Sequence, residues 1–358
     1  MATHTTAYIN RIATAVPPND IHQAFVRFAR TLLAEPRTQP LFDRMEGKSQ
    51  IEHRFSVLAL AADPEGISVD ASRIYSRGAF PTTAQRMLLY EKHAPPLAVQ
   101  TVAKLELGDD AKRITHVIVT SCTCMYAPGL DLELVERLGL NPSVERTMVG
   151  FMGCYAAITG LKLARHIVRS ESASRVLLVN LELCTLHLQQ VSTVEEMLSF
   201  LVFGDGCAAS IISADPNGLA MDRFHAALIP DTHKLITWHV RDLGFDMFLS
   251  GRVPGAISQG LKEGSDTILD HASVEAIALW AVHPGGRSVL DAVENGLGLG
   301  TRALAASRDV LARYGNMSSA TVMFVLESLL GSAKSGQRGC AMSFGPGLTA
   351  ETMLFHKA

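Results

Sequence analysis

From residue 114 onward the chain alternates short β-branched strands with amphipathic helices, and that alternation leaves few folds open. Ile114–Thr120 reads as a strand around Val117, Ile118 and Val119, and Asp131–Leu138 as a helix closed by Gly139. A short apolar stretch at Thr147–Phe151 leads to a helix at Tyr155–Val168, a strand at Arg175–Leu181, a helix at Val194–Phe203 and a strand at Cys207–Ile212. Asp215-Pro216-Asn217-Gly218 is a strong turn, which divides the chain into residues 1–214 and 215–358. The second half offers strands at Phe224–Ile229 and Ile277–Val282, then helices at Arg287–Asn295, Thr301–Tyr314 and Ser318–Leu329. Two last strands, Gly339–Phe344 and Glu351–Phe355, flank the Gly345-Pro346-Gly347 turn. Strands alternating with helices imply an α/β fold with a largely parallel sheet, and two halves of similar order imply a duplicated layered fold. Upstream, Asn19–Leu33 has helical spacing that Pro36 should stop. Arg86–Tyr90 and Ala94–Leu105 are helical too, with Pro95-Pro96 expected near the helix start.

Composition removes whole classes of function. The 358 residues are 47% hydrophobic and 19% charged with a net charge of −3, so the chain can bury a large core and lacks the basic footprint of a nucleic-acid or anionic-membrane binder. Its longest apolar runs, Leu198–Phe203 and Ile277–Val282, fall far short of the ~20 residues that a membrane span needs. Residues 1–18 carry no basic and apolar secretory pattern, so a cytoplasmic location is expected. The six cysteines (122, 124, 154, 184, 207, 340) include no C-x-x-C pair and read as free thiols. Cys122 and Cys124 point to one face of a strand end but lack the ligand set of a zinc site, and no metal is expected.

Three residues stand where chemistry could occur. Cys154, in Gly150-Phe-Met-Gly-Cys-Tyr-Ala-Ala157, sits between an apolar run and a helix start, where the helix dipole and free N–H groups favour a thiolate. Taken alone it reads more readily as a buried structural cysteine, as the other five do. His283, in Trp280-Ala-Val-His-Pro-Gly-Gly286, ends an apolar strand at the edge where open α/β sheets place ligands. Asn316 follows a helix that Gly315 ends, and a turn or cap role would explain it as well. Gly296-Leu-Gly-Leu-Gly300 lies between two helices rather than after a strand, so it is not a dinucleotide site.

Gly153-Cys154, Phe203-Gly-Asp-Gly206, His283-Pro-Gly-Gly286, Gly315-Asn-Met-Ser-Ser-Ala320 and Phe344-Gly-Pro-Gly-Leu348, in this order, resemble the type III polyketide synthases, of which chalcone synthase is the best known. Arg86 to Leu97 is similar to the bacterial branch. The resemblance implies a thiolase-type αβαβα fold in a homodimer, residues 1–214 carrying the nucleophile and 215–358 the histidine and asparagine. It implies that Cys154 holds the acyl starter. His283 and Asn316 would then stabilise the enolate left when malonyl-CoA loses CO₂, with His283 also pairing with the thiolate. Acyl-CoA and malonyl-CoA are the implied substrates, with no metal or redox cofactor.

Departures from chalcone synthase bear on the substrate. The gatekeeper pair becomes Phe203 and Met247; His187 replaces a cavity threonine, Trp238 a glycine and Cys122 another threonine; Ser318 matches a cavity serine. A reshaped, smaller cavity is expected, with Met247 able to admit an aliphatic chain. Ala127 replaces a methionine that reaches across the dimer, which could open a tunnel, and Lys48 and Arg54 are candidates for CoA phosphate contacts. The expected reaction is condensation of an acyl-CoA starter with malonyl-CoA to an alkylpyrone, or to a resorcinol or phloroglucinol. An initiating ketoacyl-ACP synthase of the same fold would follow the histidine with Gln-Ala-Asn, not Pro284-Gly285-Gly286. A silent acyl-binding subunit should have lost one of Cys154, His283 or Asn316.

Overall fold

The computed structural model describes residues 5–33, 37–191 and 193–358. The first half of the chain contributes strands β1 (Tyr8–Ala15), β2 (Asn19–Asp20), β3 (Phe55–Ser56), β4 (His116–Ser121), β5 (Glu145–Gly150), β6 (Val176–Leu183) and β7 (Asp205–Ser213). Its helices are α1 (His22–Leu32), α2 (Gln39–Glu46), α3 (Thr83–Ala103), α4 (Leu130–Arg137), α5 (Ala156–Ser170) and α6 (Val194–Leu201). The second half adds β8 (Leu219–Leu228), β9 (Ile236–Arg241), β10 (Gly244–Leu249), β11 (Leu279–Val282), β12 (Arg338–Gly345) and β13 (Thr349–Lys357). Its helices are α7 (Val253–Ile268), α8 (Arg287–Leu297), α9 (Ala305–Tyr314) and α10 (Thr321–Ser332). Pro36, expected to stop the first helix, lies outside the described residues.

Nine strands form the main sheet in the order β11-β12-β13-β8-β1-β7-β6-β4-β5. Within it, β4-β6-β7-β1 and β11-β12-β13-β8 repeat one pattern: a parallel pair, then two antiparallel steps. The two sets join where Tyr8 and Ile9 pair with Ala220 and Leu219. The sheet is therefore mixed and not largely parallel. β12 and β13 are joined by the short turn at Pro346–Leu348, and a link that short permits only antiparallel pairing.

Side-chain alternation builds the layers. On β4 and β6, Val117, Val119, Leu177, Val179 and Leu181 alternate with the opposite face, on which Ile118 and Leu178 lie. That first group packs on α3 and α4, whereas Ile118 and Leu178 pack on α5. In the second half Ala281 and Ala341 face α10, while Trp280, Val282, Cys340 and Met342 face α7 and α8. Helices α5 and α10 thus lie between the two sheet halves, giving five layers, and a separate cluster of α1, α2 and α6 caps one end.

Some elements differ from expectation. Pro95 and Pro96 lie inside α3, whose true start is a capping box between Thr82 and Gln85; burial of Tyr90, Ala94, Leu97 and Ala98 outweighs the lost donors. Helix α7 escaped the sequence reading because Gly255, Gly260 and Gly264 weaken its propensity. Gly260 is required by packing, since a Cβ there would meet Ile229 Cδ1 at 3.0 Å.

Candidate active site

The nucleophile position is built by a forced turn. After β5 the backbone passes Phe151 at φ 55° and Gly153 at φ 70°, then tightens into a 3₁₀ turn that runs into α5. A Cβ at Gly153 would stand 2.1 Å from Pro346 Cδ, so glycine alone lets the Gly345-Pro346-Gly347 turn pack against Cys154. The Gly153 N–H donates to Cys122 Sγ at 2.9 Å, fixing the turn to the end of β4. Cys154 itself is not held low by the helix start. Burial pushes its thiol up to about 11, opposed by hydrogen bonds to Ser318 and Asn316.

His283 follows β11, and its backbone N–H donates to Met342 O at 2.8 Å. The ring is buried, with no hydrogen-bond partner on either nitrogen among the described residues, and burial pushes its pKa down to about 3. Neither Cys154 nor His283 carries charge well on its own here. A thiolate is favourable only with an imidazolium beside it, because the pair together is neutral.

Asn316 is fixed at both ends. Its N–H donates to Val202 O at 2.8 Å, and its carbonyl accepts from Gly204 N at 3.0 Å, so the Asn316 and Phe203 backbones bridge as parallel strands. In the side chain, Oδ1 accepts from Ser318 N at 2.8 Å and Nδ2 donates to Gly285 O at 3.2 Å. Those bonds set the amide's orientation and turn the second N–H of Nδ2 toward the Cys154 thiol, where a bound substrate can take it over.

Cys154, His283 and Asn316 line one cavity of about 70 Å³, together with Cys122, Phe203, Trp238, Met247 and Ser318. Trp238 is anchored there by its Nε1–H, which donates to Cys122 O at 2.9 Å. His187 does not reach the cavity. Its Nδ1 accepts from Phe245 N at 3.2 Å, so Nε2–H donates to Thr123 O at 2.8 Å, and the ring stacks on Phe245 at 4.1 Å as a strut behind Trp238. Ala127, exposed and joined to Pro128 by a cis peptide, also lies away from the cavity. Lys48 lines a neighbouring cleft of about 590 Å³ with Arg287 and Ser288, and that cleft shares Leu249, Val253, Gly285 and Val289 with the cavity.

Arg54 is a correction. It is 1% exposed and cannot meet a CoA phosphate. Its Nε–H donates to His22 Nδ1 at 2.9 Å and its Nη1 donates to Phe200 O at 3.2 Å and Phe203 O at 2.6 Å. Burial pushes the Arg54 pKa down to about 9, with Asp20 and Asp205 acting the other way.

Sequence reasoning missed Glu182. It is fully buried beneath the cavity, where Cys122 N and Thr123 Oγ1 each donate to Oε2 at 2.9 Å and Ser319 Oγ donates to Oε1 at 2.6 Å. Burial raises its pKa to about 7. The available signal was a carboxylate in the largely apolar run of β6, which demands a partnered site. No group of side chains able to hold a metal ion occurs among the described residues.

A thiol, an imidazole and a carboxamide converging between two stacked, topologically repeated half-sheets define an enzyme of the thiolase-type fold that transfers acyl groups. The chain matches the family models of the chalcone and stilbene synthases, the N-terminal domain at residues 1–216 and the C-terminal domain at 221–358. The chain is 34% identical to the alpha-pyrone synthesis polyketide synthase-like Pks18 of Mycobacterium tuberculosis, over 98% of this chain and 91% of that protein. Among solved structures, the C-terminal type III polyketide synthase domain of Dictyostelium Steely1 matches with a TM-score of 0.89 at 26% identity, covering 98% of this chain and 99% of that one. PKS-I of the brown alga Ectocarpus siliculosus matches with 0.87 at 29% identity, covering both chains completely. The chain belongs to the chalcone and stilbene synthase family, the type III polyketide synthases. The family works on CoA thioesters without a metal or redox cofactor.

Proposed function

We propose that Cys154, His283 and Asn316 catalyse decarboxylative condensation of malonyl-CoA onto an aliphatic acyl starter, with release of an alkylpyrone. The observation that carries this reading is the shared cavity: thiol, unpartnered imidazole and oriented amide face one space, and a CoA-sized cleft adjoins it. The thiol gives its proton to His283 and attacks the starter thioester, expelling CoA, which takes the proton. Malonyl-CoA then loses CO₂, and the enolate oxygen accepts N–H bonds from His283 and the second Nδ2–H of Asn316. The carbanion attacks the acyl thioester and releases the Cys154 thiolate; the β-ketoacyl chain then passes from CoA back to Cys154 for a second extension, and the enol oxygen of the resulting triketide attacks its own thioester, expelling the thiol and closing the pyrone. The mycobacterial relative is described as synthesising alpha-pyrones, which supports the same ring closure here over a resorcinol or phloroglucinol. Met247 and Phe203 gate the cavity, while Trp238 narrows it; at about 70 Å³ it must open for a chain to grow. Lys48 and Arg287 line the cleft where CoA phosphates would lie.

We further infer that residues 1–214 and 215–358 act as two halves of one site, and that the enzyme is a homodimer. The edge strand β5 is exposed and carries the exposed Met148, and an unpaired edge bearing an apolar side chain suits a second copy. Six free cysteines suit a reducing cytoplasm. The test is mass spectrometry of the protein with a panel of acyl-CoAs and malonyl-CoA. Acyl adducts on Cys154 and pyrone release are expected, and Cys154→Ala should lose both. Product retained in that variant would overturn the reading.

A further inference from the structure

The gate residue Phe203 and the enolate donor Asn316 come from opposite halves of the chain, yet their backbones are bonded to each other and both wrap one buried side chain. That side chain is Arg54. Its stem fills the space that glycine leaves in both segments: a Cβ at Gly315 would stand 2.7 Å from Arg54 Cγ, and one at Gly204 would stand 3.5 Å from Arg54 Cβ. Its head donates from Nη1 to Phe200 O and Phe203 O, at the C-terminal end of α6 where helix carbonyls lack partners and positive charge is favoured. The other side of the guanidinium is seated by His22 Nδ1 and by the Phe25 ring, 4.6 Å from the guanidinium carbon.

We propose that Arg54 is a positioning residue that sets Phe203 and Asn316 as one unit, and so governs the malonyl half-reaction separately from loading of Cys154. The Cys154 backbone rests on different supports, namely Pro346, Cys122 and the start of α5, none of which touches Arg54 in these hydrogen bonds; only its thiol, hydrogen-bonded to Asn316 and Ser318, meets the unit directly. Removing the Arg54 donors releases the α6 end, and the Val202–Gly204 segment then carries Asn316 with it through the two bridging hydrogen bonds. The Nδ2–H moves off the enolate oxygen and loosens from the thiol, while the backbone that carries Cys154 stays in place. The inference rests on the roles given above to Cys154 and Asn316.

The experiment compares two steps in the full-length protein: Cys154 acylation by an acyl-CoA, read by intact mass, and malonyl-CoA decarboxylation. Arg54→Met keeps the stem and removes the donors. A misplacement on the ångström scale costs up to about a hundredfold, so decarboxylation should fall at least about tenfold while acylation stays within about threefold of wild type. Arg54→Lys, with one ammonium for the carbonyls, should recover part of the decarboxylation. His22→Ala loosens the seat from the other side and should give the same split at smaller size; if Arg54→Met is insoluble, Arg54→Lys and His22→Ala carry the comparison. Parallel loss of both steps, or no loss of decarboxylation, overturns the proposal. A wild-type protein that neither acylates nor decarboxylates would instead overturn the reading of the active site.

Discussion

Glu182→Gln should make this protein more tolerant of high pH. A carboxyl whose ordinary pKa is 4.5 sits at about 7 in the fold, because burial penalises the charge more than its donors relieve it. That difference is worth roughly 3 kcal/mol between the protonated and ionised forms. The folded state holds the proton more tightly than the unfolded state, so this contribution is full below about pH 4.5 and is lost as pH rises to about 7. Glutamine copies the protonated form. Its carbonyl can take the place of Oε2, accepting from Cys122 N and Thr123 Oγ1, while its NH₂ donates to a rotated Ser319 hydroxyl. At ~2.1 cal/mol/K per residue, 358 residues give about 0.75 kcal/mol/K, so ~3 kcal/mol corresponds to roughly 4 °C. Calorimetric Tm values at matched scan rate from pH 5 to 8.5 should show the variant gaining about that much on wild type, with most of the gain below pH 7.5. A difference that stays flat with pH, or that moves the other way, would refute the burial argument.

The neutral-pair argument for Cys154 and His283 predicts that His283→Gln leaves the thiol near its buried value of about 11. Iodoacetamide labelling of Cys154 at pH 8 should then drop about tenfold or more and climb with each pH unit toward 10; a labelling profile identical to wild type would show that His283 does not create the thiolate. Gly153→Ala should cost at least about 2 kcal/mol, since its Cβ would strike Pro346 at 2.1 Å from a left-handed backbone. It should also lose acylation; a variant with unchanged Tm and full adduct formation would mean that the turn is not fixed as described.

The parts of the site legible in the sequence were those in which chain neighbours carry the signal. Gly153-Cys154, His283-Pro284-Gly285 and Gly315-Asn316 each sit at the end of a strand or helix with a clear period, so local pattern sufficed to place the three candidates. Arg54 illustrates the opposite case. Its Glu-His-Arg context reads as exposed, and only the positions of Phe200 and Phe203, nearly 150 residues away, reveal that its charge is buried against carbonyls. His187 failed for a similar reason: its ring packs on Phe245 and Trp238, partners distant in the chain, and it does not line the cavity. Parallel or antiparallel pairing was likewise hidden, because strand order is a long-range property. Alternation of helices and strands specified the layers but not the directions within them.

Many polar groups are buried where the two halves meet. The nucleophile belongs to the first half, and the imidazole and amide belong to the second, so catalysis needs their relative position held to a fraction of an ångström. Apolar packing of α5 on α10 supplies adhesion but tolerates sliding. Directional bonds do not, and they cluster at this seam: Ser319 of the second half donates to Glu182 of the first, Thr120 and Ser319 hydroxyls meet at 3.3 Å, and Asn316 pairs with Val202 and Gly204. A buried carboxylate costs stability at neutral pH, yet an apolar isostere there would leave Cys122 N without a partner, remove the short bond that ties Ser319 to the first half, and leave the half-sheets free to shift. On this argument Glu182→Leu, unlike Glu182→Gln, should lose condensation even where it folds, because registration of the halves and not charge is what the site requires.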